Sequence, residues 1–257
     1  MPVAIVFGVV IAITIASIAL VTLRARRRAN ALTRAASELG LVYDDRGMEA
    51  LDPDLRDLPL FGFAALNHGN SISNVMTGAI DSVPLTVCDY AYWHGSTPGN
   101  RVDYAQTVAC LRLGSGDYPA FTIQPLGNPV EQASRHVAMR AVEVLAALHP
   151  SGAGIDESRR QALDALLEQE RQPGAPVAAS PEFARAYRVT GADPARITAM
   201  LRGAALDSLL RDHRPLSVEC TGRWLAIFPR NHLVPPSEIA AFLRRCVELT
   251  RMLLDRP

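Results

Sequence analysis

Apolar residues dominate the start of the chain. Residues 3–23 form an uncharged run of 21 residues. As a helix this run spans roughly 31 Å, about the thickness of the hydrocarbon core of a bilayer. A basic cluster follows at once, made of Arg24, Arg26, Arg27 and Arg28. The pattern predicts a transmembrane anchor over residues 1–28. We expect it to stay uncut, because the run is longer than the apolar core of a signal peptide and the arginines lie after it.

The charge around this run predicts a topology. Only the α-amino group precedes the run, whereas four arginines follow it, and the positive-inside rule places such a flank in the cytoplasm. We therefore expect a single-pass protein of the inner (cytoplasmic) membrane, with its N-terminus outside and residues 29–257 as a cytoplasmic domain. The bilayer is then a partner of residues 3–23. Small residues at Gly8, Ala12 and Ala16 suggest a homodimer through the anchor.

The hydrophobic pattern changes after the arginines. Residues 28–39 repeat apolar positions at helical spacing, which predicts a helix that continues from the apolar run and stops at Gly40. Residues 58–124 then hold short runs rich in Val, Thr, Tyr and Phe, separated by turn residues, which predicts an antiparallel meander of about five strands. Both faces of the run from Leu85 to Trp93 are apolar or aromatic, so we expect a central strand there. The five runs are residues 58–66, 73–80, 83–93, 103–113 and 119–125.

The second half of the chain is predicted to contain a helical segment followed by a segment of both strands and helices. Residues 128–171 form a helical insertion, and the Pro- and Ala-rich residues 172–181 form a flexible linker. The last third reads β-α-β-β-α, with a helix capped by Asp193 and a hairpin around Gly222. An α+β fold, with an N-terminal transmembrane helix before an antiparallel sheet covered by helices, is the economical architecture. A pleckstrin-homology-like barrel closed by a C-terminal helix is the runner-up.

The order of several short motifs resembles that of a family. The stretches NVMTG, CDYAYW, AQTV, PAFTIQP and FARAYRVTG resemble the series N-V-x-x-G, F-D-Y-x-Y, Q-T-V, P-x-F-x-x-x-P and F-x-x-x-Y-x-V/L-x-G. That series is typical of a group of uncharacterised bacterial membrane-anchored proteins, and the likeness covers most of residues 38–254. The chain departs from it at Cys88 and over residues 130–171. The resemblance implies an anchored α+β protein and no particular activity.

Composition and charge exclude several classes of function. Without the four juxtamembrane arginines, 22 basic residues face 26 acidic ones, which is the wrong sign for binding the phosphates of nucleic acid. The four cysteines are scattered without a C-x-x-C pair, and the six histidines are dispersed. We therefore expect neither a disulfide framework nor a metal site. The chain has no lysine for a phosphate-binding loop and no glycine-rich dinucleotide motif, so we expect no cofactor.

The densest group of polar and aromatic residues lies in the predicted third and fourth strands. It comprises Asp89, Tyr90, Tyr92 and His94, with Gln106 across a predicted hairpin. These residues suit a ligand pocket, in which aromatic rings supply contact area and Asp and His orient the ligand. They equally suit cross-strand pairs that stabilise a sheet. No second carboxylate or base lies at a known distance from Asp89, so we assign no catalytic residue.

These observations favour a binding function over catalysis. Our leading hypothesis is a non-enzymatic, membrane-anchored domain that binds a protein or a small ligand, or serves as a scaffold. One alternative is a membrane-tethered enzyme of lipid or cell-envelope metabolism that uses Asp89, Tyr90 and His94. A second alternative is lipid-headgroup binding by a pleckstrin-homology-like fold, which the acidic balance of the domain disfavours.

Overall fold

The protein folds as an antiparallel sheet with helices, so the predicted α+β class is confirmed. The computed structural model of the chain describes residues 2–56, 58, 60–61, 69–94, 102–114, 118–126, 180–191 and 193–254. The strands are β1 (Val42–Asp44), β2 (Gly69–Ile80), β3 (Val83–His94), β4 (Val102–Arg112), β5 (Phe121–Pro125), β6 (Tyr187–Gly191), β7 (Leu216–Cys220) and β8 (Trp224–Pro229). The helices are α1 (Pro2–Glu38), α2 (Pro53–Arg56), α3 (Pro181–Ala186), α4 (Pro194–Met200), α5 (Ala204–Leu210) and α6 (Ile239–Leu254).

The strands form one open sheet. Their order is β1-β2-β3-β4-β8-β7-β5-β6, and neighbouring strands are antiparallel. The prediction of a pleckstrin-homology-like barrel is therefore wrong, because the terminal strands β1 and β6 do not pair. The prediction of a simple meander holds for β2, β3 and β4, which are consecutive neighbours, but not for β4 and β5. The hairpin β7–β8 lies between β4 and β5 because β8 pairs with β4 over residues 109–112 and β7 pairs with β5 over residues 121–123.

Helix α1 overturns the membrane prediction. Within the described part of the chain, no helix has both the length and the apolar character needed to cross a membrane. The predicted anchor over residues 3–23 and the single-pass inner-membrane location with the N-terminus outside are therefore wrong, and a bilayer partner for this segment loses its basis. The apolar run is the first part of a 37-residue helix that continues through the arginines into the domain.

The two halves of α1 have different surroundings. In the N-terminal half, the large apolar side chains that the structure describes are exposed, among them Phe7, Ile13, Ile18 and Val21. In the C-terminal half, Leu32 and Ala36 are buried against the sheet. The chain leaves the helix at Gly40, whose φ of 70° is a left-handed conformation that glycine adopts without strain. The helix predicted over residues 28–39, as a continuation of the apolar run, is therefore confirmed.

The first face of the sheet carries the larger core. Val87 of β3, Ala109 of β4 and Ile227 of β8 point to this face. They pack against the C-terminal half of α1 and against α4, α5 and α6. Helix α6 contributes a fully buried stripe at helical spacing, made of Ile239, Leu243, Cys246, Val247, Leu249 and Leu253. Burial of this stripe fixes the helix on the sheet.

The second face has a separate and smaller core. It is formed by alternate residues of the same strands, such as Cys88 of β3 and Val108 of β4. It is covered by the described residues of segment 47–61, which we call the cover. The cover contains a 3₁₀ turn (Gly47–Ala50) and the four-residue helix α2. Its apolar side chains on the sheet are Leu51, Leu55, Leu58, Leu60 and Phe61.

Most of the remaining predicted elements are confirmed. β3 is an internal strand between β2 and β4, and its alternation puts Leu85 and Val87 on one face and Cys88 and Tyr90 on the other. Asp193 caps α4 as predicted, with its carboxylate accepting a hydrogen bond from the Arg196 N–H at 3.0 Å. The predicted long helix after Asp193 is interrupted, because φ is positive at Gly203 and a second helix, α5, begins there.

Two of the predicted segments are not confirmed by the structure. Residues 60 and 61, expected in a strand over 58–66, are helical, and they belong to the cover. The predicted insertion over 128–171 lies outside the described residues, as does most of the linker over 172–181. At the end of that linker, the Ser180 hydroxyl caps α3 by accepting a hydrogen bond from the Phe183 N–H at 3.2 Å. The division into residues 1–28 and 29–257 stays a prediction.

Candidate functional site

Asp89 lies on the first face of the sheet and is paired with Arg28 of α1. The guanidinium donates from Nε to Oδ2 at 2.7 Å and from Nη2 to Oδ1 at 2.8 Å. The Asp89 side chain is 8% exposed and that of Arg28 is 18% exposed. This two-pronged geometry is the strong form of an arginine–carboxylate contact.

Two further donors complete the shell around this carboxylate. The amide of Asn74 donates to Oδ2 at 2.8 Å, and the hydroxyl of Thr107 donates to Oδ1 at 2.9 Å. Asn74 reaches Asp89 because β2 has a register shift between Ser73 and Met76, and φ at Asn74 is 53°. With each oxygen accepting two hydrogen bonds, the carboxylate has a structural role and is not a free acid or base.

The network extends to two further parts of the fold. Tyr43 of β1 donates through Oη to Asn74 Oδ1 at 2.7 Å. Thr107 accepts a hydrogen bond from the Val234 N–H at 2.9 Å, and Arg28 donates to the Val234 carbonyl at 2.9 Å. The polar network of Arg28 and Asp89 therefore ties α1, the four strands β1 to β4 and the segment before α6 together.

The four arginines predicted to flank a membrane anchor have different surroundings. Arg24, Arg26 and Arg27 are exposed on α1. Arg28 is half-buried and belongs to the network around Asp89. One member of the predicted basic flank is therefore a structural residue of the domain.

The predicted ligand-binding residues are divided between the two faces. Tyr90 pairs with Gln106, and Tyr92 pairs with Tyr104, on the second face. Asp89 lies on the first face with its network. His94 ends β3, and its Cα lies about 17 Å along the strand from that of Asp89 at the usual rise per residue. Asp89 and Tyr90 therefore do not line a common site, and the catalytic alternative loses the convergence that it requires.

Three tyrosines of the second face, Tyr90, Tyr92 and Tyr104, form a continuous stack of rings, and together with the neighbouring Gln106 we call them the tyrosine face. The rings of Tyr90 and Tyr92 stack with centroids 5.3 Å apart, and those of Tyr92 and Tyr104 stack at 5.1 Å. Tyr92 and Tyr104 are half-exposed, whereas Gln106 is buried. The stack thus runs from the core of the second face to its surface.

Side-chain amides border this stack. The Tyr92 hydroxyl donates to Asn231 Oδ1 at 3.3 Å, and the Asn231 N–H donates to Gln106 Oε1 at 3.3 Å. Asn231 adopts a left-handed backbone with φ of 52°, which asparagine tolerates better than most residues. Rings beside amides combine a large apolar contact area with directed hydrogen bonds, which is the composition of many ligand-binding surfaces.

Tyr90 is the buried end of the stack. It is 1% exposed, and its ring meets that of Phe61 edge-on with centroids 5.1 Å apart. Burial raises the pKa of its hydroxyl well above the ordinary value, while a hydrogen bond with the side chain of Asn70 lowers it. Phe61 of the cover therefore closes the inner end of the stack, where the hydroxyl of Tyr90 stays protonated.

Glu219 is a second buried polar group on this face, and the sequence analysis missed it. It is 8% exposed, and burial raises its pKa from 4.5 to about 7, although a hydrogen bond from the Leu60 N–H at 3.1 Å lowers it. In the sequence, polar Ser217 and Glu219 alternate with apolar residues, which is typical of a half-solvated strand. The cover, which comes from a distant part of the chain, buries them instead.

Neither metal-binding nor reactive-thiol chemistry is assembled in the described ranges. Within them, no three His, Cys, Asp or Glu side chains are grouped as metal ligands. The four cysteines are buried as free thiols, and burial raises the pKa of Cys88 and Cys246 well above the ordinary value. A thiol with a raised pKa is a poor nucleophile at neutral pH.

Comparisons with known proteins add one structural likeness. No protein family matches the chain, and no curated protein matches its sequence. The crystal structure of the mycobacterial trehalose monomycolate transport factor A, TtfA, is similar with a TM-score of 0.47 and 9% sequence identity. The match covers 90% of this chain and 99% of that chain. We draw no argument about fold or function from a likeness of this size.

Proposed function

We propose that the protein is a non-enzymatic binding protein and that it holds a ligand on the tyrosine face. The observation that carries the proposal is the stack of Tyr90, Tyr92 and Tyr104, which passes from a buried hydroxyl to half-exposed rings. Aromatic rings provide a large contact area at low cost in conformational entropy, and neighbouring amides orient the bound molecule.

Asp89, the predicted site residue on the first face, supports a binding role because its carboxylate is fully hydrogen-bonded. Asp89 is fully engaged by Arg28, Asn74 and Thr107, so the strongest candidate for an acid or base has no lone pair left for a substrate. General acid–base catalysis needs a group within hydrogen-bond reach of the reacting atom. The tyrosine face offers contact area and hydrogen bonds instead.

Photo-crosslinking tests the proposal directly. The photoreactive residue p-benzoylphenylalanine replaces Tyr92 or Tyr104 in the full chain, and Val42, which is exposed on β1, is the control position. Irradiation in cells is followed by mass spectrometry of the crosslinked chain. We expect the same adduct at both tyrosine positions and none at position 42. Absence of an adduct at both tyrosine positions, or the same adduct at all three positions, contradicts the proposal.

A further inference from the structure

Glu219 is a carboxyl group enclosed between the sheet and the cover. It lies on β7, paired with Thr122 of β5 and Ala226 of β8, and it is buried. Its Oε1 accepts a hydrogen bond from the Leu60 N–H of the cover at 3.1 Å. An ionised carboxylate is costly in apolar surroundings unless it is paired and hydrogen-bonded, whereas the protonated acid is much less so.

Among the described residues, no cation compensates a negative charge on Glu219. Burial raises its pKa, and the opposing contribution comes from the Leu60 N–H. Arg112 of β4 and Arg188 of β6 extend to the same face of the sheet by strand alternation, but neither is among the groups that shift this pKa. The charged side chains of the cover that the structure describes are exposed: Glu49, Asp52, Asp54 and Arg56.

The other titratable groups around Glu219 are neutral at physiological pH. Tyr90 of β3 and Cys110 of β4 lie on the second face with it, and Cys220 follows it on β7. A negative charge on Glu219 contributes to raising the pKa of all three, which keeps them protonated. Ionisation of Glu219 therefore places a charge among groups that carry none.

The cover is hydrogen-bonded within itself. The guanidinium of Arg56 donates to the Glu49 carbonyl at 3.1 Å and to the Leu51 carbonyl at 3.1 and 3.3 Å. The Asp52 carboxylate accepts a hydrogen bond from the Asp54 N–H at 3.0 Å at the start of α2. These bonds do not depend on the sheet, so the cover keeps them when it separates from the strands.

Two polar contacts join the described part of the cover to the β7–β8 hairpin. One is the buried bond from Leu60 to Glu219, and the other is an exposed ion pair between Asp54 and Arg223 at 3.4 Å. Exposed ion pairs contribute little to stability. The other end of the cover packs closely on β2 at Gly47. The protonation state of Glu219 therefore acts at the end of the cover that has few polar contacts with the sheet.

We propose that ionisation of Glu219 opens the cover, so that the second face of the sheet is closed at acidic pH and is increasingly uncovered above neutral pH. In the closed form the carboxyl group is protonated and accepts the Leu60 N–H. When its proton passes to the solvent, water solvates the carboxylate only if the cover separates from β7. This switch goes beyond the proposed function. It also uncovers the inner end of the tyrosine stack, because Phe61 of the cover contacts Tyr90.

Thiol labelling of the full chain measures this opening. Two free cysteines, Cys88 and Cys110, lie beneath the cover, whereas Cys220 and Cys246 belong to the core of the first face. The native protein is treated with N-ethylmaleimide, and the labelled sites are identified by mass spectrometry after digestion with trypsin. Trypsin leaves the four cysteines in different peptides, because arginines lie between them in the chain.

Glu219→Gln is the matched variant, because it keeps an acceptor for the Leu60 N–H and does not titrate. The rate for the wild type divided by that for the variant at the same pH removes the intrinsic pH dependence of the thiols. A carboxyl group with a pKa of about 7 when closed and 4.5 when solvated should increase this ratio roughly tenfold from about pH 6 to about pH 8 at Cys88 and Cys110. If the variant does not fold, labelling of the wild type in denaturant supplies the intrinsic rates.

The thiols of the first face distinguish opening of the cover from global unfolding. Local opening leaves the first face packed, so at about pH 8 the wild type should react at Cys88 and Cys110 at least about tenfold faster than at Cys220 and Cys246. Equal rates at the four thiols, no reaction beneath the cover at this pH, or a ratio that does not change with pH would each overturn the inference. The crosslinking experiment is independent of all three outcomes.

Discussion

Arg28 of α1 holds the carboxylate of Asp89 with two hydrogen bonds, although the two residues are 61 positions apart in the chain. Arg28 follows an apolar helical segment, and Asp89 stands in the middle of an internal strand. Their contact joins the long N-terminal helix to the centre of the sheet. It also explains why two residues that separately suggested a membrane flank and a ligand site belong to one structural network.

Removal of either partner of this pair should destabilise the fold. We expect Asp89→Asn to lower the free energy of unfolding by about 3 kcal/mol, because Arg28 is left as an uncompensated and largely buried charge. The measurement is urea denaturation followed by circular dichroism. Asp207→Asn, which breaks the exposed pair of Asp207 with Arg211, is the control and should leave the midpoint unchanged. Equal effects of the two substitutions would contradict a structural role for the pair.

The double variant Arg28→Met/Asp89→Leu isolates the interaction between the two side chains from the contacts that each makes with other residues. Residues that interact directly have non-additive effects, so the double variant should lose at least about 1 kcal/mol less than the sum of Arg28→Met and Asp89→Leu. The same denaturation experiment measures the difference. Strict additivity would show that the two side chains do not stabilise each other.

The stability of the fold should depend on both the side chain and the backbone conformation of Asn74. Asn74→Gly loses the hydrogen bonds to Asp89 and Tyr43 but accepts the positive φ, whereas Asn74→Ala loses the same bonds and strains the backbone. We expect alanine to be less stable than glycine by about 1 kcal/mol, the cost of a left-handed conformation for a residue with a Cβ. Thermal unfolding of the two variants gives the difference. An alanine variant as stable as the glycine variant would argue against the left-handed conformation.

The sequence identified the strands better than their arrangement. Alternation along β3 predicted an internal strand and assigned its residues to the correct faces, because side chains of a strand point alternately to each side. The same alternation places Asp89 and Tyr90 on opposite faces, which separates the candidate site. Nothing in the local pattern predicts that the hairpin β7–β8 lies between β4 and β5, since that order depends on pairing between distant segments.

One omission has its origin in a long-range contact. Glu219 has the pattern of a solvated position, yet the cover buries it. Periodicity describes a segment and its two faces, but it does not show which remote segment packs on either face.

Glu219 should make stability depend on pH. Its folded pKa of about 7 lies above the ordinary 4.5, so the folded state binds the proton more tightly than the unfolded state. The stabilising contribution of this proton to the free energy of unfolding is fully present below about pH 4.5. It is lost as the pH rises to about 7, a change of about 3 kcal/mol. Glu219→Gln removes this effect while it keeps an acceptor for the Leu60 N–H.

Denaturation of wild type and Glu219→Gln over this pH range measures the effect. We expect the variant to be the more stable protein at about pH 8 and the difference to vanish at about pH 4. The stability difference isolates Glu219 because the other titrating groups are common to both proteins. A difference that does not change with pH would show that Glu219 titrates normally.

Gly47 should be required for the cover to pack against β2. Its φ is 66°, and a Cβ at this position would lie 2.5 Å from the Ile72 carbonyl oxygen of β2. Gly40 has a similar φ of 70° with nothing within 4 Å, so Gly40→Ala measures the backbone strain alone. We expect Gly47→Ala to cost about 2 kcal/mol more than Gly40→Ala, because a backbone contact cannot relax easily. Equal losses of unfolding free energy would show that the cover does not lie against β2.

The most direct test of the binding role is native mass spectrometry of the full chain isolated gently from its own cells. The proposal predicts that the wild type retains a molecule of defined mass, that Tyr92→Ala loses it, and that the exposed control Val42→Ala keeps it. A wild-type chain without a bound molecule, or one that survives Tyr92→Ala unchanged, would contradict the assignment of the tyrosine face as the binding surface.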